Sequence, residues 1–270
     1  MLQVPPFLKD RQTTQMPLQH HHRHTVESTN QWAMEWLRSN VPAEPVLFTT
    51  DHQTSGRGQR NKHWHSEPER DLCMSLVLPV QPTWHPASLN KRVALAVHSC
   101  LVNHLPVGQT ASAVKIKWPN DVMVWHGAAH HKVAGILVEN VWRGSKWSFA
   151  VVGIGLNVQS SRLSRRYQAI SLSEAWPAYP DRSALALQIT HAILQRDSKT
   201  SIELNDDYAQ VLFAVGHIRD FIVRNQPARG TFLGVNSEGL GQFAWSDQSQ
   251  SSGLPEFLPS SEVQWCWDQS

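Results

Sequence analysis

The stretch Lys115-Ile-Lys-Trp-Pro-Asn-Asp121, followed by Lys132-Val-Ala-Gly-Ile-Leu-Val-Glu139, decides the fold of this chain. Apolar runs separated by turn-forming Pro and Asn predict neighbouring β-strands with a short connection. A lysine at the mouth of an apolar strand is well positioned to meet an anion, such as a carboxylate or a phosphate. Lysine at a strand start is also common on protein surfaces, so Lys132 alone leaves both interpretations open.

A second cationic element lies upstream, in the loop Gly56-Arg-Gly-Gln-Arg-Asn-Lys-His-Trp64. Its two glycines let the backbone approach a phosphate closely, and Arg57 supplies a planar fork of donors. Trp64 can close over a flat group, and Gln53 has the donor and acceptor that suit a urea or amide. Alone, the loop is equally compatible with a solvated turn. The two cationic elements together favour a site where an acid is activated by a nucleotide.

Polar side chains follow Pro119 directly. Asn120 and Asp121 are expected in an exposed turn, where they either cap the turn or carry chemistry. In the second interpretation Asp121 orients or deprotonates an incoming amine, and Asn120 helps to hold a metal–phosphate. A later strand ends in Gly153-Ile-Gly-Leu-Asn157, again with small residues and an amide. The chain has no Walker A sequence, so a nucleotide would be bound without a P-loop.

Composition excludes several classes of protein. The formal net charge is +2, from 24 basic and 22 acidic residues, which argues against a broad nucleic-acid-binding surface. The three cysteines, Cys73, Cys100 and Cys266, form no CxxC pair, so neither a zinc ribbon nor a disulfide framework is expected. No apolar run approaches the roughly 20 residues that span a bilayer, and the N-terminus lacks a signal-peptide core. We therefore expect a cytoplasmic protein without membrane association.

The chain divides into three predicted parts. Residues 1–23, ending in His20-His-His22, are expected to form a loosely ordered extension, too short for a DNA-reading helix-turn-helix. Residues 24–215 predict an α/β (α+β) unit with a mixed or antiparallel sheet flanked by helices. Residues 216–270 contain short strands with Gly, Asn and Ser turns, enough for a small β-barrel. The strands are predicted at 46–48, 72–78, 114–118, 122–125, 133–141, 147–154, 221–223, 230–235, 239–245 and 263–267, and the helices from Ser28, between Pro86 and Pro106, at 182–195 and at 201–213.

Taken in order, these strings resemble the biotin–protein ligase family, in its monofunctional type without a DNA-binding domain. The matching pieces are Glu27-Ser-Thr-Asn30, Gln53, GRGQR at 56–60 with Trp64, KWPND at 117–121, KVAGIL at 132–137 and GIGLN at 153–157. The resemblance implies a catalytic domain similar to class II synthetases, followed by an SH3-like C-terminal domain. It also implies no DNA partner, and it is compatible with a homodimer.

The resemblance implies the activity of a biotin–[acetyl-CoA-carboxylase] ligase, which uses biotin, ATP and Mg²⁺. The biotin carboxylate attacks the α-phosphate of ATP and gives biotinyl-5′-AMP and pyrophosphate. A lysine of the biotin carboxyl carrier protein, in acetyl-CoA carboxylase or a related carboxylase, then forms an amide and releases AMP.

Roles follow from the resemblance for individual positions. The catalytic residues would be Lys132, which bridges carboxylate and α-phosphate, with Arg57 and Asp121, the last steering the acceptor lysine. The biotin ureido ring would be held by Ser28, Thr29, Asn30 and Gln53, and its tail would be lined by Gly135. The loop that orders over the intermediate would comprise Gly56, Arg57, Gly58, Gln59, Arg60 and Trp64. Further binding positions would be Lys117, Asn120 and Asn157, with Asn120 as the metal–phosphate ligand.

Two departures from the family pattern concern the loop. Gln59 stands where many members carry arginine, and Asn61-Lys62 replaces a common Gly-Arg, which lowers the positive charge around the intermediate. Two other functions remain as alternatives: a lipoate or octanoate ligase or transferase of similar fold, and a non-catalytic biotin or nucleotide sensor. A fatty chain would leave Ser28 and Gln53 little to bind, and a sensor has no need of Lys132.

Overall fold

The computed structural model describes residues 18–161, 163, 168–196, 199–246 and 254–266. Seven strands form the first part of the fold: β1 Gln19–Val26, β2 Val46–Gln53, β3 Leu72–Pro79, β4 Val114–Lys117, β5 Asp121–His126, β6 Ala129–Arg143 and β7 Lys146–Leu156. The helices are α1 Thr29–Leu37, α2 Pro86–Val102, α3 Leu172–Ala175, α4 Arg182–Gln195 and α5 Ser201–Gln210. The second part contains β8 Ile218–Val223, β9 Gln226–Val235, β10 Gly241–Trp245, β11 Glu256–Leu258 and β12 Val263–Trp265.

The first seven strands make one mixed sheet in the order β1-β2-β3-β7-β6-β5-β4. β1 runs parallel to β2, and each of the other pairs is antiparallel. Helices α2 and α4 pack on one face, and α1 packs on the other. The fold is therefore the predicted mixed sheet flanked by helices.

Alternation along β3 separates the two faces of this sheet. Leu76 belongs to the larger core under α2 and α4, whereas its neighbour Val77 belongs to a smaller core under α1. On the α1 face, Ser75 and Gly153 are paired in register beside Val77 and Val151. Halfway along this face, the small residues Ser75 and Gly153 thus follow the core residues Val77 and Val151. Because they are small, they leave an open space on the sheet, which is the cavity described below.

The last five strands form an antiparallel sheet in the order β11-β10-β9-β8-β12, compatible with the predicted SH3-like domain. Its aromatic residues, including Phe232 and Phe243, share one buried cluster with Trp118 of the first part. The Trp118 Nε1–H also donates to the Gly239 carbonyl oxygen at 3.1 Å. α5 ends at Gln210 and β8 begins at Ile218, so the boundary that we predict near 215 falls in the connection between them.

The structure corrects one prediction at the N-terminus. Residues 19–23 belong to strand β1 and not to a loosely ordered extension. Two neighbours of His21 in the sequence, His20 and His22, lie 2.7 and 3.0 Å from the Thr49 hydroxyl, while His21 stacks on Phe48 from the other face. Cross-strand contacts of these histidines therefore hold β1 to the sheet. A search for alternating hydrophobic residues does not detect such a strand. Residues 1–17 of the predicted extension lie outside the described residues.

Three of the strands and α-helices given above were not predicted from the sequence: β1, the short helix α3 and strand β11. The predicted strand at 263–267 is observed over Val263–Trp265, and Trp267 lies outside the described residues. Within the part of the chain that the structure describes, no helix is both long and apolar enough to cross a membrane.

Candidate active site

A cavity of about 840 Å³ opens on the α1 face of the first sheet. Of the site residues predicted from the sequence, every one except Gly56 lines this cavity: Ser28, Thr29, Asn30, Gln53, Arg57, Gly58, Gln59, Arg60, Trp64, Lys117, Asn120, Asp121, Lys132, Gly135 and Asn157. Gly56 lies behind the wall, where an added Cβ would collide with the Trp64 backbone. Strands β2, β5, β6 and β7, the start of α1 and the loop after β2 all contribute.

One end of the cavity, which we term the amide end, carries hydroxyl and carboxamide groups. The Gln53 Oε1 accepts from the Thr29 amide at 2.8 Å and from the Thr29 hydroxyl at 3.1 Å. The Ser75 hydroxyl lies 2.6 Å from the Asn30 Oδ1. Ser28 occupies the N-cap position of α1, but its side chain makes no capping bond. The amide end thus groups buried donors and acceptors of fixed orientation, which suits a polar, uncharged ring.

The floor of the cavity is made of two glycines under an indole. Gly135 of β6 and Gly155 of β7 are paired in register. A Cβ on Gly135 would lie 2.8 Å from the Trp64 ring, and one on Gly155 would collide with it. Because these positions lack side chains, Trp64 can lie against the sheet and wall a flat slot between the two ends.

The other end, which we term the charged end, groups Lys117, Asp121 and Lys132. The Lys132 Nζ lies 2.6 Å from one oxygen of Asp121, and the Lys117 Nζ lies 3.7 Å from the other. Lys117 and Asp121 are 6% and 9% exposed, so little water screens the cluster. Two ammonium groups around one carboxylate leave a net positive charge beside the slot, and this charge favours an anionic ligand.

The charged end shifts the pKa values of its members. Burial alone would raise the pKa of Asp121, but the charges of Lys132 and Lys117 outweigh burial and hold it below its usual range. Burial lowers the pKa of Lys117 to about 8, with the charge of Lys132 acting in the same direction and that of Asp121 opposing it. Asp121 is therefore an anion at neutral pH, and Lys117 titrates near physiological pH.

Backbone pairing holds Lys132 in place. Its N–H donates to the Gln168 carbonyl at 2.9 Å, and its carbonyl accepts from the Ile170 N–H at 2.9 Å. The Asn157 side chain donates to the Ile170 carbonyl at 3.2 Å, and the Asn157 N–H donates to the Val133 carbonyl. Asn157 thus connects the end of β7 to the segment beside Lys132, in addition to lining the cavity.

The loop between Arg57 and His63 is closed on itself. These two residues form a β-bridge, and the Gly58 N–H donates to the Lys62 carbonyl at 2.7 Å. Arg60 has a φ of 56° and donates from Nη2 to the Val263 carbonyl at 3.3 Å, which joins the loop to β12. The Arg57 guanidinium pairs with the Glu139 Oε1 at 3.2 Å.

Asn120 lies in the turn between β4 and β5, as predicted, whereas Asp121, predicted in the same exposed turn, begins β5 and is buried between two lysines. Its Nδ2 donates to the Ile136 carbonyl at 2.9 Å, and the Ile136 N–H donates back to the Asn120 carbonyl. The described residues contain no cluster of three or more His, Cys, Asp or Glu side chains suited to a metal ion. Asn120 alone therefore does not build a metal site in the protein.

Sequence reasoning did not select three residues that shape the site: Ser75, Glu139 and Trp265. Ser75 was visible as a polar residue inside the apolar strand LCMSLVLP. Glu139 follows Gly135 and Leu137 at every second position of β6, so the alternation of a strand places it on the same face. Trp265 contributes from β12, and the centroid of its ring lies 5.3 Å from the Lys117 Nζ. No local pattern in the sequence signals this contact between distant segments.

Comparison with solved structures supports this fold. The biotin protein ligase from Aquifex aeolicus, solved in complex with biotin and ATP, superposes with a TM-score of 0.68 at 21% sequence identity. The match covers 91% of this chain and 97% of that chain.

Two curated relatives are similar in sequence. The bifunctional ligase/repressor BirA of Bacillus spizizenii is 30% identical over 229 residues, which cover 80% of this chain and 66% of that protein. The biotin–[acetyl-CoA-carboxylase] ligase of Mycobacterium tuberculosis is 29% identical over 174 residues, which cover 63% of this chain and 60% of that protein. The chain thus matches about two thirds or less of the length of these two relatives.

The family model described as "Biotin/lipoate A/B protein ligase family" matches residues 23–157, which is half of the 270-residue chain and contains the amide end, the glycine floor and the charged end. The chain therefore belongs to the biotin/lipoate A/B protein ligase family.

Proposed function

We propose that this protein is a biotin–protein ligase that uses ATP to attach biotin to a lysine of a biotin carboxyl carrier protein. The observation that carries the proposal is the arrangement of one cavity, with neutral hydrogen-bonding groups at one end and two lysines around Asp121 at the other. Biotin has the same polarity: an uncharged urea, an apolar tail and a terminal carboxylate. The relatives named as biotin ligases support the same activity.

The amide end would hold the ureido ring through Ser28, Thr29, Asn30 and Gln53. A urea carries one acceptor and two donors, so it needs donors and acceptors on opposite sides of a narrow pocket. The carboxamide oxygens of Gln53 and Asn30 accept bonds from Thr29 and Ser75, and these bonds hold both side chains in one orientation. The tail would then run along the Trp64 indole, which rests on Gly135 because that position has no side chain.

At the charged end, Lys132 would bridge the biotin carboxylate and the α-phosphate of ATP. Two anions repel each other, and an ammonium between them lowers that repulsion as they approach. A carboxylate oxygen then attacks the α-phosphorus, the bond to the β-phosphate oxygen breaks, and pyrophosphate leaves. The product is biotinyl-5′-AMP, a mixed anhydride. Lys117 would add a second positive charge behind Lys132.

Asp121 would act in the second half of the reaction. The amine of the carrier lysine attacks the anhydride carbonyl, the bond to the AMP phosphate oxygen breaks, and an amide forms. Because Asp121 stays ionised at neutral pH, it suits the orientation of an incoming ammonium and the acceptance of its proton.

Mg²⁺ would enter as the counterion of the ATP phosphates. Magnesium in proteins keeps several waters and needs few side-chain ligands when phosphates are present. The one Asp or Glu that lines the cavity among the described residues is Asp121, which is paired with two lysines. These residues do not fit a dedicated magnesium cage, and the Asn120 carboxamide oxygen is the predicted side-chain contact to the metal–phosphate.

The loop from Gly56 to Trp64 would cover the intermediate, with Gly58, Gln59 and Arg60 facing the cavity. Gln59 provides hydrogen bonds but no charge at a position where many relatives of this type carry arginine. We expect the adenylate to be held less tightly than it would be by a cationic loop. The variant Gln59→Arg should slow the release of biotinyl-5′-AMP.

Pyrophosphate release tests the proposed reaction directly. The purified chain with ATP and Mg²⁺ should release pyrophosphate when biotin is added and should do so much less with lipoate or octanoate. Release that responds to the fatty acids and ignores biotin would indicate the lipoyl branch of the family. Tight biotin binding without any release of pyrophosphate would indicate a sensor.

A further inference from the structure

The Arg57 side chain, predicted to meet reaction anions, points instead to a protein carboxylate. Its Nη2 lies 3.2 Å from the Glu139 Oε1. On β6, Glu139 is four residues beyond Gly135 and seven beyond Lys132, at about 3.3 Å per residue. The guanidinium is therefore held at the amide end, on the far side of the glycine floor from the charged end.

The second oxygen of Glu139 is also engaged. The Asn30 Nδ2 donates to Oε2 at 2.9 Å. One oxygen of the Glu139 carboxylate therefore binds Arg57 of the loop, and the other binds Asn30 of the amide end. Asn30 in turn accepts at Oδ1 from the Ser75 hydroxyl, 2.6 Å away, and both residues are nearly fully buried. The Ser75 hydroxyl has one proton to donate, and the Thr29 oxygen is farther away, at 2.8 Å. We therefore assign the Ser75 proton to the bond with Asn30. A continuous chain of bonds thus runs from the buried Ser75 to the exposed loop.

The Arg57–Glu139 pair also determines which end of the cavity carries net charge. Arg57 and Glu139 neutralise each other, so the amide end carries no net charge from them, as an uncharged urea requires. The positive charge of the cavity is left to Lys132 and Lys117. Because the Arg57–His63 bridge closes the loop on itself, fixing Arg57 also fixes the backbone on both sides of the slot entrance.

Resting on the proposed function, we propose that Glu139 is a positioning residue of the biotin site. It anchors Arg57, and through Arg57 the loop, over the amide end, and it holds Asn30 in its donor orientation. Arg57 acts as a tether of the loop and not as a second cation of the reaction. Loss of the anchor weakens the retention of biotin and leaves the chemical step at Lys132 unchanged.

The substitution Glu139→Gln separates the two bonds. A glutamine retains an oxygen for the Asn30 Nδ2 but removes the charge that pairs with Arg57. We expect Glu139→Gln and Arg57→Gln each to raise the Kd for biotin about three- to tenfold, with faster dissociation. The double variant should match the single ones, because both remove the same contact. At saturating biotin, the rate of pyrophosphate release should stay within about twofold of the wild-type rate.

Asp207→Asn on α5 is the matched control. It removes a partly exposed carboxylate from its ion pair with Lys199, and no residue of α5 lines the main cavity. This variant should bind biotin like the wild type. Arg57 is exposed on a loop, so its variants keep the fold even if a change at Glu139 disturbs β6.

Two results would overturn the inference. One is a Glu139→Gln protein with wild-type biotin affinity and dissociation rate. The other is an Arg57→Gln protein that loses pyrophosphate release at saturating biotin while Glu139→Gln keeps it, since Arg57 would then be a cation of the reaction. A wild-type protein that does not bind biotin would instead overturn the proposed function.

Discussion

At the scale of single residues, the chemistry depends on how Asp121 is shared by two lysines. Lys132 at 2.6 Å and Lys117 at 3.7 Å keep this buried carboxylate ionised. A ligand carboxylate and phosphate would compete with Asp121 for the same ammonium groups. Binding of the acids therefore exchanges one set of ion pairs for another and does not require bare charges to be buried.

Asp121→Ala should separate the two half-reactions. Without Asp121 the lysines remain available to the substrate anions, so biotin-dependent pyrophosphate release should stay within about threefold of the wild-type rate. Transfer from the adenylate to the carrier should slow about 100-fold or more, the range typical of a lost general base. Both rates can be measured in single-turnover experiments with separately formed adenylate. An equal loss in both steps would contradict the assignment of Asp121 to the second step.

The pKa of Lys117 predicts a pH dependence for ATP binding. Burial lowers this pKa to about 8, so Lys117 loses its proton as the pH rises through 8 and the charged end loses one positive charge. The KM for ATP should rise several-fold between pH 7 and pH 9. In Lys117→Met it should be high already at pH 7 and change little over this range. A wild-type KM that falls or stays constant would contradict the prediction.

The same shift has a consequence for stability. The pKa of Lys117 in the folded protein lies below the ordinary lysine value of 10.5. Between pH 8 and 10.5 the unfolded chain therefore binds more protons than the folded one, and this residue's contribution to the free energy of unfolding rises with pH. Lys91, whose pKa burial also lowers to about 8, contributes with the same sign.

At the scale of elements, strands β6 and β7 make room for the Trp64 indole, which walls the slot, because two of their positions are glycines. Gly135 and Gly155 lie opposite each other, and the Trp64 ring fills the space above them. Alternation also puts Leu137 and Glu139 on the cavity face of β6. The two strands thus support the Trp64 indole through Gly135 and Gly155, and β6 also supplies Glu139, the partner of Arg57.

Gly155→Ala should close this slot. The new methyl group would collide with the Trp64 indole and push it outward, so the Kd for biotin should rise at least tenfold. The stability should fall by about 1–3 kcal/mol, the usual cost of overpacking. Adding Trp64→Ala should recover most of the stability but not the affinity, because the wall of the slot is then missing. Calorimetry of biotin binding and thermal unfolding measure both, and unchanged biotin affinity in Gly155→Ala would show that the indole does not wall the site.

Element prediction from the sequence succeeded where hydrophobic periodicity was strong. The amphipathic pattern of α2 and the apolar runs of β3, β6 and β7 are local signals, and the strings KWPND and KVAGIL identify the charged end. β1 escaped prediction because contacts of its histidines with Thr49 and Phe48, residues distant in sequence, hold it to the sheet. Glu139 and Ser75 escaped because their roles arise from partners in helix α1 and in the loop after β2.

At the scale of the whole molecule, the two sheets share one core. Trp118, beside the charged end, packs on Phe232 and Phe243 of the second sheet. The Lys91 ammonium on α2 donates to the Asn236 carbonyl in the turn between β9 and β10 at 2.6 Å. The C-terminal strands also supply Val263 and Trp265 to the cavity. The second sheet therefore completes the site as well as the fold.

Phe243→Ala tests this coupling. The buried ring contacts both Phe221 of its own sheet and Trp118 of the first, so its removal should cost about 3–5 kcal/mol. Because the core is continuous, denaturant unfolding should remain a single transition, seen alike by tryptophan fluorescence and far-ultraviolet circular dichroism. Two separate transitions in the variant or the wild type would show that the sheets unfold independently.

The most direct test of the central claim is the ATP-dependent transfer of free biotin to an apo carrier domain, detected by streptavidin blot. Wild-type protein should label the carrier only when ATP and Mg²⁺ are present. Lys132→Ala should fold normally but lose labelling by at least about 100-fold, whereas Lys146→Ala, at an exposed lysine at the start of β7, should label normally. Labelling by Lys132→Ala at the wild-type rate, or no labelling by the wild type, would contradict the account.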